Sequence, residues 1–283
     1  MPNPEQIILG FVFTNYNSAE HTLSAVKSIA DNVSSDLYKI VIVDNNSAQP
    51  DKKALARIES QNAQVKVIFS DINHGYFKGL NLGINYFRKA FPAITHMVIG
   101  NNDLLFPDNF YKSILSNLAI FEKYPVISPD IETLDGFHQN PHVIKKIHPL
   151  REVIYDLYYT SYNFAVAIQS LAKLTHKFTD RNDEKEYENA QEIYQGHGSC
   201  YIIGPVFFKH FSELFAPTFL MYEEFFLAVQ LHEKKMKTFY FPGIKLYHVG
   251  SSSINKVSAK SIWKFAKESH KYYRKYVSWT KGL

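Results

Sequence analysis

Short polar clusters follow three apolar runs in the first half of the chain. The runs and the cluster after each are Ile7–Phe13 with Thr14-Asn15-Tyr16-Asn17, Ile40–Val43 with Asp44-Asn45-Asn46-Ser47, and Met97–Ile99 with Asn101-Asn102-Asp103. Asn and Asp are common turn residues, so any one cluster is typical of a turn. Their recurrence after three strand-like runs indicates a binding site.

The residue types in these clusters match the needs of a site for a sugar nucleotide. A carboxylate such as Asp44 can accept hydrogen bonds from ribose hydroxyls or from a base N–H, and an aromatic ring such as Tyr16 can cover a base. Asp103 offers the oxygen ligand that a hard divalent cation on a diphosphate requires. Such a cation would neutralise charge on a departing nucleoside diphosphate.

A third loop, from Asn73 to Gly83, contains three glycines spaced by four residues. Glycines permit close backbone approach, and the N-terminus of the following helix could face an anion. We therefore expect Asn73, Gly75 and Lys78 to contribute to nucleotide binding, and Gly83 to pack the helix on the sheet. The spacing fits neither a P-loop nor the dinucleotide-binding fingerprint.

Two adjacent acids, Glu223 and Glu224, lie between the apolar segments Phe219–Tyr222 and Phe225–Leu227. Apolar surroundings favour raised pKa values in such a pair. A carboxylate within hydrogen-bond reach of an acceptor hydroxyl can take its proton as the hydroxyl attacks an anomeric carbon. Acids are also common at helix starts, which explains one Glu more readily than two.

The elements that must position these residues alternate between strands and helices in the first half. Strand-like runs at Ile7–Phe13, Ile40–Val43, Val65–Phe69 and Met97–Ile99 are separated by segments of helical composition. This order predicts an α/β fold with a mainly parallel sheet and helices on both faces. Ligands of such sheets bind beyond the carboxyl ends of the strands, where the polar clusters stand.

The second half is less regular in sequence. It predicts a Tyr-rich helix at Leu150–Lys173, a charged loop or short helix at Phe178–Gln191, a strand at Cys200–Ile203, a helix at Glu223–Lys235, strands at Thr238–Phe241 and Ile244–Val249, and a basic helix from Ser258. Core packing is the favoured role of the Tyr155, Tyr158, Tyr159 and Tyr162 group, and a lipid-side or acceptor surface is the alternative.

Composition narrows the class of protein. The chain has 283 residues, 46% hydrophobic and 20% charged, which suits a globular chain with a core, and its net charge of +4 does not argue for nucleic acid. The single cysteine, Cys200, excludes an intrachain disulfide and fits a reducing compartment, with a core position expected for it. The sequence shows neither a signal peptide nor an apolar run of the ~20 residues that a spanning helix needs. We expect a cytoplasmic protein, peripheral to a membrane at most.

With these motifs in order, the chain resembles the inverting GT-A glycosyltransferases of family 2, in particular the bacterial branch of rhamnosyltransferase-like enzymes of surface polysaccharide synthesis. The matching stretches are Thr14–Asn17, Val43–Ser47, Asn73–Gly83, Gly100–Asp103, Gly196–Tyr201, Tyr222–Glu224 and His248. The resemblance implies a GT-A fold, with a Rossmann-like, mainly parallel sheet flanked by helices, a C-terminal acceptor-side extension and a terminal helix.

The resemblance also implies roles for individual residues. The nucleotide would be bound by Thr14, Asn15, Tyr16, Asn17, Asp44, Asn45, Asn46, Asn73, Gly75, Lys78 and Asn102, with Asp44 and the Thr14 loop on the nucleoside. Asp103 stands at the last position of the family's metal motif, and His248 matches a histidine that often completes binding of Mn²⁺ or Mg²⁺ or of the diphosphate. The loop of Gly196, His197, Gly198 and Ser199 would lie beside the donor sugar and the acceptor. Glu224 matches the catalytic base.

Two departures from the family pattern bear on these roles. The metal motif begins with Asn101 instead of Asp, which leaves one carboxylate there and gives His248 more weight. The base position holds Glu where the family commonly has Asp, so Glu223 is the second choice as base. The Gln/Arg and Trp signature of processive synthases is absent from the sequence, which favours transfer of a single sugar.

The expected organisation is a glycosyltransferase domain over residues 1–257, with a nucleotide-binding half at 1–105 and an acceptor half at 106–257, followed by a basic aromatic helix at 258–283. That helix could lie on an anionic membrane, which suits a lipid-linked glycan acceptor, or pack its aromatic side chains on the domain. The expected donor is a UDP- or dTDP-sugar. The alternatives are a noncatalytic sugar-nucleotide binder and a sugar nucleotidyltransferase, although the latter normally has a Gly-rich basic loop after the first strand.

Overall fold

A mixed β-sheet runs through the computed structural model, which describes residues 7–146, 149–174, 182–250 and 258–277. The strands are β1 Leu9–Asn15, β2 Tyr38–Asp44, β3 Val65–Phe69, β4 His96–Asn101, β5 Leu104–Leu105, β6 Val126–Thr133, β7 Gln191–Ile193, β8 Cys200–Ile203 and β9 Thr238–His248. They follow the order β3-β2-β1-β4-β8-β6-β9, and both β5 and β7 pair with β9.

The first four long strands form the parallel half that the sequence predicts. In register, Thr14 of β1 lies beside Val43 of β2 on one side and Asn101 of β4 on the other. Asn15 likewise lies beside Asp44. The carboxyl ends of β1, β2 and β4 therefore meet at one edge, and the three polar clusters meet there as well.

The second half adds antiparallel strands to the mainly parallel sheet. Strand β8 runs antiparallel to both β4 and β6, and β9 is parallel to β6 but antiparallel to β5 and β7. Because Cys200 pairs with Gly100, β8 begins at the edge where β4 ends. This antiparallel insertion carries the segment before β8, Gly196–Ser199, across the same edge as the polar clusters.

Helices cover both faces of the sheet among the described residues. They are α1 Ala19–Asn32, α2 Gln49–Gln61, α3 Tyr76–Ala90, α4 Phe110–Leu115, α5 Leu118–Lys123, α6 Pro149–Tyr158, α7 Tyr162–Leu174, α8 Pro205–His210, α9 Glu223–His232 and α10 Ala259–Tyr273, with a short 3₁₀ helix at Asp183–Glu186. Alternation along β1 sends Phe11 and Phe13 to a core under α1 and α4, and Val12 to a core under α3 and α8. None of the described helices is long and apolar enough to span a bilayer.

Two predicted elements differ in the structure. The long helix expected at 150–173 is broken into α6 and α7, because Thr160 Oγ1 donates to the Leu157 carbonyl at 2.6 Å and Ser161 Oγ accepts the Phe164 N–H at 3.3 Å. The two strands expected at 238–249 are one strand, β9, whose register against β6 shifts between Pro129 and Asp130. A bulge of this kind accommodates the Pro242-Gly243 pair within a continuous strand.

The predicted basic helix is α10, and it packs on the rest of the molecule. Tyr273 is buried against Phe225 and Phe226 of α9, and its hydroxyl donates to Glu152 of α6 at 2.5 Å. His270 Nε2 lies 2.8 Å from Asp156 Oδ1. The predicted boundary at 257/258 and the end of the chain from 278 lie at or within segments outside the described residues.

Candidate active site at the edge of the sheet

Asn15, at the end of β1, joins the polar clusters by hydrogen bonds. Its Nδ2 group donates to Asp44 Oδ1 at 3.1 Å and to Asp51 Oδ2 at 2.7 Å, and its Oδ1 atom accepts from Thr22 Oγ1 at 2.9 Å. Asn102 Nδ2 also donates to this Oδ1 atom, at 3.1 Å. Both amides are buried. The two predicted nucleotide ligands Asn15 and Asn102 therefore hold the loops together from within.

Asp44 is enclosed by its own loop. The carboxylate is fully buried, and its Oδ2 atom accepts the Ser47 N–H at 3.1 Å while Asn15 occupies Oδ1. The predicted nucleoside ligand is thus already hydrogen-bonded on both oxygens. Burial of a carboxylate requires such partners, so Asp44 also has a structural role in fixing the loop after β2.

The outer rim of the same edge carries the accessible nucleotide candidates. Tyr16 is 47% exposed, and Asn17 and Asn46 are exposed with positive φ angles of 52° and 62°. Asn17 Oδ1 accepts the Ala48 N–H at 2.8 Å, which links the first loop to the second. The Tyr16 ring is therefore the side chain of these clusters that is best placed to cover a base.

The third loop approaches the site through backbone contacts. Gly75 has a φ of +82°, and an added Cβ there would collide with the Phe219 carbonyl oxygen. Asn45 Nδ2 donates to the Gly75 carbonyl at 3.0 Å, and Asn73 Oδ1 accepts the Gly75 N–H at 2.9 Å. Gly79 packs closely on Thr14, where an added Cβ would lie 2.8 Å from Thr14 Cγ2. These glycines bring α3 against the neighbouring loops, as the close-approach interpretation requires.

Lys78 lies on the outer side of α3 and is exposed. It lines a cavity of about 640 Å³ together with His74, Asn81, Glu213 and Gln230. The metal candidates and the acid pair do not line this cavity. At this cavity Lys78 lies beside His74 of the third loop, and not beside Asp103 or Glu224.

Asp103 and His248 are brought together by the pairing of β5 with β9. His248 Nε2 lies 3.1 Å from Asp103 Oδ1, and both side chains are buried. The other ring nitrogen, Nδ1, lies 2.8 Å from Gln139 Oε1, and Asn101 Nδ2 lies 3.4 Å from Nε2. In a metal-bound form, Nδ1–H would donate to Gln139 and leave the Nε2 lone pair for the cation beside Asp103, as in other histidine ligands.

These donors fit a divalent cation whose coordination is completed by a ligand. Within the described ranges no cluster of three or more His, Cys, Asp or Glu side chains forms a protein-only metal site. One carboxylate oxygen and one imidazole nitrogen suit Mn²⁺, and Mg²⁺ is commonly held by one or two carboxylates together with substrate phosphates. Asp103 and His248 would be the protein ligands of either ion.

The Gly196–Ser199 loop lies between the metal candidates and the acid pair. The His197 N–H donates to Asn140 Oδ1 at 2.8 Å, and the centroid of its ring is 6.2 Å from that of His248. Burial lowers the pKa of His197 to about 3, with His142 and His248 adding to the effect, so its ring is neutral. An added Cβ at Gly198 would collide with Glu224 Oε1, so glycine at 198 allows the acid to approach the loop.

The two acids of the pair have different surroundings. Glu223 is buried, its Oε1 atom accepts the Met221 N–H at 2.9 Å, and burial together with Glu224 raises its pKa to about 8. Glu224 is partly exposed, and its Oε1 atom accepts the Gly198 N–H at 3.1 Å. The turn before them is strained, since Met221 and Tyr222 have φ angles of 77° and 69°. Glu224 is therefore the acid that faces the loop.

Three residues near this site are additional to the sequence predictions. The Tyr76 hydroxyl donates to the Gly198 carbonyl at 2.7 Å, Gln139 orients His248, and the His142 ring is 5.5 Å from that of His197. Tyr76 stands within the third loop motif, which was a usable signal. Gln139 and His142 follow β6 in a segment without a motif, so long-range folding alone places them.

Comparison with known proteins finds a family match over more than half of the chain. The family described as Glycosyl transferase family 2 matches residues 11–168. The crystal structure of GalNAc-T7 with UDP, GalNAc and Mn2+ has a TM-score of 0.57 at 12% identity, covering 89% of this chain and 45% of that one. The structure of S. aureus TarS 1-349 has a TM-score of 0.49 at 11% identity, covering 86% and 60%. No curated protein matches the sequence significantly. The chain thus spans less than two thirds of each of these two structures, and the likeness to GalNAc-T7 shows a common fold.

Proposed function

Because the chain belongs to glycosyl transferase family 2, we propose that it moves a single sugar from a nucleoside-diphosphate sugar to a glycan acceptor, with inversion at the anomeric carbon. The proposed donor is a UDP- or dTDP-linked hexose or deoxyhexose, as in the rhamnosyltransferase-like enzymes of polysaccharide synthesis that the sequence resembles. Residues 1–105 would bind the nucleotide and residues 106–257 the acceptor.

One observation carries the proposal. The Gly196–Ser199 loop links the acid Glu224, bound at Gly198, to the histidine pair His197 and His248. His248 in turn lies beside Asp103. The proposed base and the proposed ligands of a diphosphate-bound cation thus lie at opposite sides of one short loop. GalNAc-T7, which has a similar fold, was solved with UDP, GalNAc and Mn2+, and this supports the proposal of a nucleotide-linked donor and a divalent cation.

The proposed reaction assigns the proton to Glu224. The acceptor hydroxyl oxygen forms the new bond to the anomeric carbon, its proton passes to the Glu224 carboxylate, and the bond from that carbon to the diphosphate breaks. Since Gly198 N–H holds Oε1, Oε2 is the oxygen that receives the proton. A divalent cation held by Asp103 and His248 would neutralise the charge that develops on the departing diphosphate.

The acceptor is proposed to be a glycan, lipid-linked in the cell, which places the protein in the cytoplasm at the inner face of a membrane. Peripheral contact through α10 would suit such an acceptor, because its lysines and aromatic residues match an anionic interface. The noncatalytic binder remains the alternative, but the placement of Glu224 against Gly198 beside the metal candidates favours catalysis. The nucleotidyltransferase reading is not favoured by the family match.

A donor screen tests the proposal. Thermal unfolding and donor hydrolysis are measured with UDP-, dTDP- and GDP-sugars, each with Mn²⁺, with Mg²⁺ and with a chelator. We expect one nucleotide class to raise the melting temperature in a metal-dependent manner and to be hydrolysed slowly. If no nucleoside diphosphate raises the melting temperature, the proposal is wrong. Binding without turnover of any donor or acceptor would support the noncatalytic alternative.

A further inference from the structure

The two helices α6 and α7 expose large apolar side chains. Four of them define what we call the hairpin surface, with exposed fractions of 40% for Ile154, 50% for Leu157, 59% for Phe164 and 62% for Leu171. In α7 the apolar positions 164, 167, 168 and 171 follow the i, i+3, i+4, i+7 spacing of one helix face. Ala165, which flanks this stripe, is buried, whereas Phe164 and Leu171 at the two ends of the stripe are the most exposed side chains of the hairpin surface. Both ends of the apolar stripe of α7 are therefore open to solvent.

The orientation of the hairpin surface is fixed by polar contacts on the opposite side of α6. Glu152 accepts a hydrogen bond from the Tyr273 hydroxyl at 2.5 Å, and Asp156 Oδ1 lies 2.8 Å from His270 Nε2. Ile154 lies two residues from each of these acids, which places it across the helix from both. These contacts hold α6 against α10. Ile154 is therefore exposed even though its helix is packed on the rest of the protein.

Lysines of α10 border the hairpin surface. Lys260 Nζ is 5.9 Å from the centroid of the Tyr162 ring, at the start of α7. Lys267 Nζ donates to the carbonyl of Thr160, between α6 and α7, at 2.9 Å. Lys264 is exposed one turn from each, and Glu268 is the acidic residue within α10. An apolar surface is thus bordered by a cationic helix.

Trp263 joins the two features. Its ring centroid lies 5.7 Å from that of Tyr162 at the start of α7, and its Nε1–H donates to the Tyr158 carbonyl at 3.2 Å. Tryptophan and tyrosine are the residues that favour the boundary between an apolar phase and water. Apolar, aromatic and cationic side chains thus follow one another across this surface, as they do in proteins that bind at a membrane interface.

We propose that the hairpin surface, together with Lys260, Lys264 and Lys267, docks on an anionic lipid bilayer. The apolar side chains would enter the acyl boundary while the lysines contact phosphate groups of the lipids. Positive charge at the border selects this occupant, because it complements anionic headgroups and would repel an identical border on a second copy. Docking itself needs no donor and does not depend on the proposed function. Its consequence, that the active site meets a lipid-linked acceptor, rests on the proposed function.

Vesicle binding by the full chain tests the proposal without donor or acceptor. Sedimentation is measured with phosphatidylcholine vesicles and with vesicles of phosphatidylcholine and phosphatidylglycerol at a ratio of roughly 3:1, in low salt, since surface potential sets the cationic contribution. We expect binding to the second type. A Leu157→Glu/Phe164→Glu variant should bind at least tenfold more weakly. Lys260→Glu/Lys264→Glu should lose affinity by roughly fivefold or more per position, because each cation near such a surface contributes about that factor.

The matched control is Leu23→Glu/Leu134→Glu, which makes the same charge change at side chains that are 50% and 66% exposed elsewhere. It should lose much less affinity than the Leu157/Phe164 variant, and melting temperatures identify any variant that fails to fold. Should the wild type ignore anionic vesicles, or the hairpin and control variants bind equally, the proposal is overturned. A concentration-dependent dimer that the hairpin substitutions abolish, without vesicle binding, would assign the surface to a second copy. Donor hydrolysis in solution is read separately, so its absence counts against the proposed function alone.

Discussion

At the residue scale, the acid pair divides into a buried member and a partly exposed one. Glu224 bonds to the Gly198 N–H, whereas Glu223 bonds to the backbone of its own turn at Met221. We expect Glu224→Gln to lower the transfer rate by roughly 10²–10⁴-fold, the usual contribution of a general base, while donor-induced thermal stabilisation persists. Glu223→Gln is the neighbouring control and should retain more activity. The reverse order of the two variants would make Glu223 the base.

The raised pKa of Glu223 links folding stability to pH. Its folded pKa is about 8, above its ordinary value of 4.5, so the folded state holds a proton that the unfolded state releases between these values. Stability from this group is therefore complete below pH 4.5 and falls as pH rises toward 8, by up to about 1.4 kcal/mol per pH unit. Urea unfolding between pH 5.5 and 8.5 should show a more negative slope of stability against pH in the wild type and in the exposed-site control Glu188→Gln than in Glu223→Gln. Because the buried His197 contributes a slope of opposite sign below about pH 6.5, the difference between the variants is the measurement, and equal slopes would contradict the assignment.

The metal candidates make a third residue-scale prediction. Asp103 supplies the carboxylate beside His248, and the amide of Asn101 carries no charge. Asp103→Ala should therefore abolish the metal-dependent part of the thermal shift that a nucleoside diphosphate produces. The exposed Asp135→Ala, which lies in the turn after β6, serves as control. Full metal dependence in Asp103→Ala would remove this residue from the site.

At the element scale, the N-terminus of α3 connects the nucleotide loops to the catalytic segment. Tyr76 N–H donates to the Phe219 carbonyl at 3.1 Å, and its hydroxyl donates to the Gly198 carbonyl at 2.7 Å. Gly198 is thus held by Tyr76 at its carbonyl and by Glu224 at its N–H. We expect Tyr76→Phe to cost about 1 kcal/mol of stability and to lower kcat more than it raises KM for the donor. Tyr86→Phe on the same helix is the control, and equal kinetics in the two variants would reduce Tyr76 to a structural role.

Elements that obey local patterns were predictable from sequence, and elements defined by distant partners were not. Continuous apolar runs identified β1 to β4, and the strand Val65–Phe69 has the predicted bounds. Strand β6 was missed because Pro129 and Asp130 interrupt its apolar pattern, and it is stabilised by pairing with β9 more than a hundred residues later. The direction of β8 could not be read locally either, since it depends on insertion between β4 and β6.

The same distinction applies to the candidate site. The sequence predicts that the clusters after β1, β2 and β4 meet, and the family resemblance implies that Asp103 and His248 share a ligand. The structure brings both sets together. The sequence could not show that Asn15 and Ser47 donate to the two carboxylate oxygens of Asp44, because these hydrogen bonds form only when the loops pack together. Which residues contact a nucleotide stays a prediction, and Tyr16, Asn17 and Asn46 are the exposed candidates in the clusters after β1 and β2.

At the scale of the whole molecule, α10 is part of the folded unit rather than a separate tail. Tyr273 and His270 are buried, and they contact Glu152, Asp156 and Tyr222 from α6 and the turn before α9. A chain ending at residue 257 would leave the buried Glu152 and the ring of Phe225 without this cover. Because the truncation removes the apolar burial and the hydrogen bonds that Tyr273 and its neighbours contribute, each roughly 1–3 kcal/mol, we expect the truncated protein to melt at a much lower temperature or to aggregate. Calorimetry checks this against a chain ending at residue 277, and equal melting temperatures would mean that α10 is an independent appendage.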